Sequence, residues 1–426
     1  MISDLPDSET RDVVIIGGGP AGSVAGAYLA RAGMRPLLLE KEKFPRFVIG
    51  ESLLPYGNDI LKELGVWPEL EKAGFIKKYG ADFSTGFTER FNRDWFRQAL
   101  DAGYEHTFQV DRAAFDDILL RNARRAGCEV VESAHVTALA HCAKDKISLS
   151  YDGPNGRTSL TASWLVDASG RNGIAGRFLD IPKYPTRQMK MVAIYSHFQG
   201  VHRNSGDAAG HTVIVRFKSG WSWLIPLADG KTSVGIVIPA DTLREAQGDL
   251  KSVFDHHVSS HPDLAERMSR AEGLMPLRAT ADYSWRFKSF ASGRVLLTGD
   301  AAGFVDPIFS SGVMLAMKSA RLAANTILAA RNRQTGLDPG ECRQYTAEVA
   351  GWMHLYSRII RSFYERAGFE IFMHPLPYFK IPRSIGYLVG GRMDLPAAQR
   401  LRLAAFSVLC ALQRFFNLAP PIRSLR

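Results

Sequence analysis

Asp12-Val13-Val14-Ile15-Ile16-Gly17-Gly18-Gly19-Pro20-Ala21-Gly22 decides the fold of this 426-residue chain. The apolar run ending in glycine reads as a buried parallel strand. Pro20 to Ala32 is Ala-rich and reads as a helix, which Gly33 stops. Pro36 to Leu39 gives a second strand ending at Glu40, so the whole is a βαβ unit of about thirty residues. Gly17 lets the chain turn, Gly19 lets the backbone approach a pyrophosphate, and Gly22 lets the helix pack close to the strand. Pro20 and Ala21 open the helix, whose N-terminus meets the phosphate charge. Glu40 is placed to accept both ribose hydroxyls. The spacing predicts a dinucleotide bound on the first helix.

Outward from this unit, 46% hydrophobic and 23% charged residues describe an ordinary globular chain. Asn58 to Leu64 and Asp111 to Ala126 have helical spacing; Val130 to His141, Lys146 to Tyr151 and Arg157 to Val166 read as strands. From about Lys190 the pattern changes. Met191 to Phe198, Thr212 to Phe217, Ser222 to Leu227 and Ser233 to Pro239 resemble an antiparallel sheet, with a helix near Thr242 to His257. Val295 to Thr298 and a helix beyond Gly312 return to the first style. Residues after Asp338 are helical to near Glu370, then Pro-rich, with a last helix near Ala397 to Asn417. The expected class is α/β: a Rossmann-like domain, discontinuous over 1–180 and 291–335, interrupted by a β-sheet substrate domain at 181–290. Residues 76–100 would join that second sheet, and 336–426 would form a helical C-terminal region.

Met1 to Thr10 is acidic and polar, unlike a signal peptide, so a cytoplasmic location is expected. Cys128, Cys142, Cys342 and Cys410 form no C-x-x-C pair and read as reduced residues rather than metal ligands. The net charge of +10 is spread, not blocked, which argues against nucleic acid. Much of it lies late, at residues such as Arg358, Arg361, Lys380, Arg400, Arg402, Arg414, Arg423 and Arg426. That face is either solvated or made for an acidic partner. The last helix carries Phe406, Val408, Leu409, Leu412, Phe415 and Phe416 among arginines, but its apolar run is too short to span a bilayer. Closing the pocket or packing on the core is the expected role, rather than membrane contact.

Trp164-Leu165-Val166-Asp167-Ala168-Ser169-Gly170 and Gly293-Arg294-Val295-Leu296-Leu297-Thr298-Gly299-Asp300-Ala301-Ala302 resemble the second and third flavin motifs of the FAD-dependent aromatic-hydroxylase superfamily. The resemblance implies FAD, with Asp300 holding the ribityl chain and Arg112 contacting flavin. A helix starting near Gly312 would aim its amides at the ring, where negative charge gathers on reduction.

Gly220-Trp221-Ser222-Trp223-Leu224-Ile225-Pro226 is the least random segment. Tryptophans at i and i+2 lie on one strand face, where core packing is the plain reading. The segment also matches the Trp-x-Trp-x-Ile-Pro signature of flavin-dependent halogenases. Phe304, Pro307, Ser310 and Gly312 repeat that family's Phe-x-x-Pro-x-x-Ser-x-Gly signature. Pro45 to Pro55, containing Arg46, Glu51 and Ser52, resembles its loop over the flavin, and Phe75 to Phe83 its lysine-bearing strand. The likeness is strongest to members acting on phenols or pyrroles, some of them tethered to carrier proteins.

What this implies is halogenation of an electron-rich aromatic with reduced FAD, O2 and chloride or bromide. A separate flavin reductase would supply the reduced FAD, since no second nucleotide fingerprint is visible. Ser310, Ser311 and Gly312 would bind halide, Trp221 and Trp223 would wall the path of hypohalous acid, and Lys78 would deliver the halogen. Lys41, Val136, Pro307 and Val313 are carried over as further cofactor contacts. Alternation along a strand turns Lys77 the other way. Met314 departs from a histidine common after Ser-Ser-Gly-Val, and the glutamate that positions indole in tryptophan halogenases has no match. His256, His257, His354 and His374 lack ligand spacing and read as surface or capping residues. The rival readings are an aromatic hydroxylase, an isoprenoid reductase of the geranylgeranyl type, and a non-catalytic flavoprotein.

Overall fold

The computed structural model describes residues 10–87, 91–142, 146–185, 190–282, 285–374 and 381–425. Lys380, Arg426, residues 1–9 and the side chain of Cys142 lie outside the described residues. Thr10–Ile16 is the first strand, Pro20–Arg31 the first helix and Pro36–Leu39 the next strand. Thr10–Ile16 pairs in parallel with Gly156–Asp167 on one side and with Pro36–Leu39 on the other. Val295–Leu297 and Glu129–Val131 extend the parallel ladder at its two ends. This is why Val13 to Ile16 are apolar without alternation: both faces are covered and all four residues are buried.

A second sheet runs in the order Glu272–Gly273, Met191–Gln199, Thr232–Pro239, Trp221–Pro226, Thr212–Arg216, Gly80–Ser84, Phe91–Trp95. All its pairs are antiparallel except Thr212–Arg216 with Gly80–Ser84, which is parallel and departs from the all-antiparallel expectation. The stretch around Lys78 is two strands. Ile76–Lys78 pairs with Thr107–Gln109, and the chain then enters the large sheet at Gly80.

Three element boundaries differ from the sequence reading, each for a backbone reason. Val130 to His141 is two strands, Glu129–Val131 and His135–Cys142, with Ser133 between them in the left-handed region. Thr242 to His257 is two helices, because Gln247 and Gly248 both have positive φ. The helical run after Asp338 divides at Glu365, whose ψ of 130 is extended, into Pro339–Tyr364 and Arg366–Met373. The Pro-rich stretch also holds a helix, Ile381–Val389, before the last one at Ala397–Phe416.

Long-range side-chain bonds tie the second sheet to the helical C-terminal region. Arg216, buried at the end of its strand, donates from Nε to the Phe363 carbonyl at 2.9 Å and also bonds the carbonyls of Phe217 and Tyr364. A cation therefore caps the C-terminus of the 26-residue Pro339–Tyr364 helix, where the dipole is negative. Burial pushes this guanidinium down to about 10.

Candidate active site

The first glycines are placed as close backbone approaches. Gly17 has a φ of +101, and a Cβ there would lie 2.4 Å from the Ala168 carbonyl oxygen. A Cβ on Gly22 would meet the Gly17 carbonyl oxygen at 1.8 Å. Gly19 caps the Pro20–Arg31 helix with no side-chain bond to its amides, and its first turn holds no acid. Those amides are donors available to a phosphate. Gly18 N donates to Glu40 Oε2 at 2.6 Å and Glu42 N to Oε1 at 2.8 Å, which fixes the buried carboxylate beside the glycine turn. Lys41 points outward and pairs with Glu42 at 3.3 Å. Val136 is buried in the neighbouring strand.

Gly299 sits between the two helices that this site needs. A Cβ on it would touch Ala316 Cβ at 3.1 Å and Ala21 Cβ at 3.6 Å. The Pro20–Arg31 and Gly312–Ala330 helices thus lie side by side. The second helix also starts without a side-chain cap or an acid in its first turn. Around its start, Ser310 is left-handed with a φ of 57, nothing lies within 4 Å of a Cβ on Gly312, and Val313 is buried. Ser311 is 1% exposed, and its Oγ has no hydrogen-bond partner among the described residues. A buried hydroxyl without a partner costs about 1–3 kcal/mol, so this one fits an absent acceptor or anion.

The acids divide into two kinds. Asp167 is fully buried and accepts from Ser169 N at 3.0 Å and Ala175 N at 2.7 Å, so it shapes the turn beside Gly17. Asp300 is pushed up to about 6 by burial, with Arg171 and Arg112 pulling it back. Arg112 holds Asp116 through two bonds at 2.8 and 2.9 Å and donates to the Ile49 carbonyl at 2.9 Å. Arg46 joins the same Asp116 at 3.2 Å. The two arginines thereby fix the 46–52 loop over the glycine turn.

Lys78 and Lys77 separate as alternation requires: Lys77 is exposed and Lys78 is 2% exposed. Lys78 Nζ donates to Ser52 Oγ at 2.8 Å and to the Leu53 carbonyl at 3.1 Å. The hydroxyls of Ser52 and Thr212 are bonded at 3.0 Å, and Gln109 Nε2 donates to Thr212 Oγ1 at 2.8 Å. Burial lowers the Lys78 ammonium to about 7. Glu51, next to Ser52, is buried against His197 Nε2 at 2.6 Å.

Trp221 and Trp223 are buried with ring centroids 5.7 Å apart. Trp223 Nε1 donates to Ser233 Oγ at 3.1 Å. Trp221 Nε1 donates to the Tyr364 hydroxyl at 2.8 Å, and that hydroxyl donates to Asp306 Oδ2 at 2.8 Å. Asp306 Oδ1 accepts from Ile308 N at 3.0 Å, at the head of the Pro307–Phe309 turn that leads to Ser310. Thr212 and Arg216 are four residues apart on one strand, about 13 Å. Thr212 joins the Lys78 cluster, and Arg216 holds the end of the helix that carries Tyr364. One strand therefore ties the lysine to the Ser310 turn.

Sequence reasoning missed Gln109, Thr212, His197, Asp306 and Tyr364. Only Asp116 had a local signal, four residues after Arg112 on one helix. His257 and His374 bond the carbonyls four residues before them, Val253 and Glu370, while His256 and His354 are exposed.

A profile of the FAD binding domain family matches residues 10–348. The chain is 34% identical over 343 residues to the 1H-pyrrole-2-carbonyl-[peptidyl-carrier protein] chlorinase of Pseudomonas fluorescens, covering 75% of this chain and 76% of that one. It is 33% identical to the tryptophan 2-halogenase of Chondromyces crocatus, over 85% of this chain and 69% of the relative. The solved structure of the flavin-dependent brominase Bmp2 superposes with a TM-score of 0.84 at 29% identity, covering 94% of this chain and 99% of that one. With uncapped helix starts, tight glycine turns and an unpartnered Ser311 hydroxyl, the residues present fit FAD and a halide. Its sequence relatives and its fold agree: the chain belongs to the flavin-dependent halogenases.

Proposed function

We propose that this enzyme halogenates an electron-rich aromatic of the phenol or pyrrole type, and that a carrier protein can present the substrate. The support for a pyrrole on a carrier comes from the Pseudomonas fluorescens relative. Reduced FAD would come from a separate flavin reductase, in the cytoplasm. When bound, FAD supplies the oxygen activation that turns a halide into hypohalous acid. The Gly312 and Val313 amides and the Ser311 hydroxyl hold the halide at the helix start. Trp221 and Trp223 keep water from the path between that point and Lys78.

The observation that carries the reading is Lys78, a buried lysine with no carboxylate in contact among the described residues and an amine that burial brings to about 7. Its nitrogen lone pair attacks the halogen of hypohalous acid. The nitrogen–halogen bond forms, the halogen–oxygen bond breaks, and the departing hydroxide takes a proton from nitrogen to leave as water. The nitrogen–halogen bond then breaks as the halogen bonds the aromatic carbon, and the proton lost from that carbon returns to nitrogen and restores the amine. Ser52 and Leu53 orient the nitrogen, with Thr212 and Gln109 fixing Ser52.

The test is an assay with a flavin reductase, NADH, FAD and bromide, run on a free pyrrole or phenol and on pyrrole-2-carboxylate loaded on a carrier protein. Brominated product from either substrate supports the chemistry, and preference for the loaded form supports the carrier. Consumption of NADH and O2 with hydroxylated product overturns the halide site in favour of the hydroxylase.

A further inference from the structure

The last helix, Ala397–Phe416, buries Leu403, Phe406, Cys410 and Gln413 against the rest of the protein. Its opposite side is also apolar. Leu401 is 73% exposed, Val408 57%, Phe415 78% and Phe416 67%, with Leu412 and Leu418 exposed beside them. Positions 401, 408, 412 and 415 fall on one helix face. Over 20 residues the helix is about 30 Å long, so the ridge is continuous along one side of the molecule. Six large apolar side chains gathered in this way are more than the scattered single residues of an ordinary surface.

Charge selects what covers the ridge. No acidic residue follows Asp394, and Arg400, Arg402, Arg414, Arg423 and Arg426 all do. Exposed Arg358 is tied to this helix by a 3.0 Å bond to Ser407 Oγ, and Arg361 is exposed one turn further along. A second copy would bring arginines against arginines: the helix itself carries no carboxylate, and the acids beside it are already paired, Glu365 with Arg414 at 2.6 Å and Asp394 with Lys318 at 2.5 Å. A protein partner needs directional polar contacts around its apolar centre. The ridge itself offers methyls and phenyl rings, with cations at its edges. That is the composition of an amphipathic surface that lies in an anionic lipid interface.

We propose that the Ala397–Phe416 ridge is a peripheral membrane-docking surface, with Phe415, Phe416, Val408 and Leu401 entering the acyl boundary and Arg400, Arg402 and Arg423 meeting anionic headgroups. Among the described residues no helix is long and apolar enough to cross a membrane, so contact is along the surface. The inner face of the same helix packs with Arg366–Met373, through Gln413 Nε2 donating to Glu370 Oε2 at 2.8 Å. Phe372 of that segment lies 6.2 Å, ring centre to ring centre, from Phe309 in the turn before Ser310. A docked enzyme would thus hold the turn before Ser310 a helix layer from the bilayer. This surface proposal does not depend on the halide chemistry.

The test is flotation of the full-length, FAD-loaded protein with phosphatidylcholine vesicles, with and without phosphatidylglycerol. The expected result is roughly tenfold more binding to the anionic vesicles, falling as salt is raised. Val408→Ser with Phe415→Ser should abolish it while flavin absorbance and halogenation stay as in the parent. Arg402→Gln with Arg423→Gln should remove only the anionic preference. Four results would overturn the proposal: no binding to either vesicle, equal binding to both, binding unchanged in the serine variant, or concentration-dependent dimers that the serine variant dissolves. Retention on immobilised polyglutamate without vesicle binding would instead assign the face to an acidic protein.

Discussion

Tyr364 donates its hydroxyl proton to Asp306 Oδ2 at 2.8 Å while accepting Trp221 Nε1–H at the same distance. The Trp-x-Trp strand is thereby fastened to the turn ahead of Ser310 through the last residue of a helix far away in sequence. The tryptophans act as more than a wall. Trp221 is a donor that sets the tyrosine, which in turn sets the aspartate that caps the Pro307–Phe309 turn.

Tyr364→Phe keeps the ring and removes the tie. The hydroxyl makes two hydrogen bonds, each worth about 1 kcal/mol, and loss of the one to Asp306 should raise the KM for halide about fivefold. The FAD dissociation constant should stay unchanged, because the glycine turn and Glu40 are on the other sheet. A changed FAD affinity with an unchanged halide KM would assign Tyr364 a purely structural role.

Lys78→Met should abolish halogenated product while flavin binding and O2 consumption persist. The same substitution should stabilise the protein. The folded-state pKa of about 7 lies below the unfolded lysine value, so the unfolded chain binds more protons between those pH values. The lysine's cost to stability is therefore full below about pH 7 and is relieved as pH rises toward the unfolded value. At pH 6 the methionine variant should unfold later by a few kcal/mol, and by less at pH 9. Thermal unfolding at the two pH values reads this directly.

Capture by the neutral amine also sets a rate profile. Product formation from supplied hypohalous acid should rise as pH passes up through about 7 and fall again where the hypohalous acid itself ionises. Thr212→Val, which loses the bond that orients Ser52, should shift the midpoint and leave the flavin spectrum unaltered. A flat profile in the parent would mean that the lysine does not titrate during turnover.

Gly22→Ala tests the dinucleotide turn. Its methyl would sit 1.8 Å from the Gly17 carbonyl oxygen, too close for any side-chain adjustment to relieve. The variant should be isolated without FAD, or unfolded, as seen by loss of flavin absorbance and of circular dichroism. A Gly33→Ala control has open space and meets only the backbone cost of its φ of +81.

What could be read from the chain was whatever local periodicity encodes. Gly17, Gly19 and Gly22 declare a turn within six residues, and Lys77 and Lys78 declare opposite faces within two. Thr212, Gln109, Asp306 and Tyr364 carry no such mark, because each acquires its partner only when distant segments pair. Gln109 reaches Thr212 across 103 positions, and Tyr364 reaches Asp306 across 58. The Gln247-Gly248 break did carry a local mark, a glycine followed by the capping Asp249, but the apolar period running through it masked the stop. His197 illustrates the same limit. It reads as an ordinary strand residue until Glu51 arrives from 146 positions away.

The most direct measurement is mass spectrometry of the product formed from one pyrrole-type substrate by the reduced, FAD-loaded enzyme, with bromide present and with bromide left out. With bromide, the expected result is a product showing the paired isotopic masses of bromine. That product should be absent without bromide and absent from Lys78→Met. An oxygenated product, formed at the same rate whether or not bromide is supplied, would contradict the halide site and the role of Lys78 together.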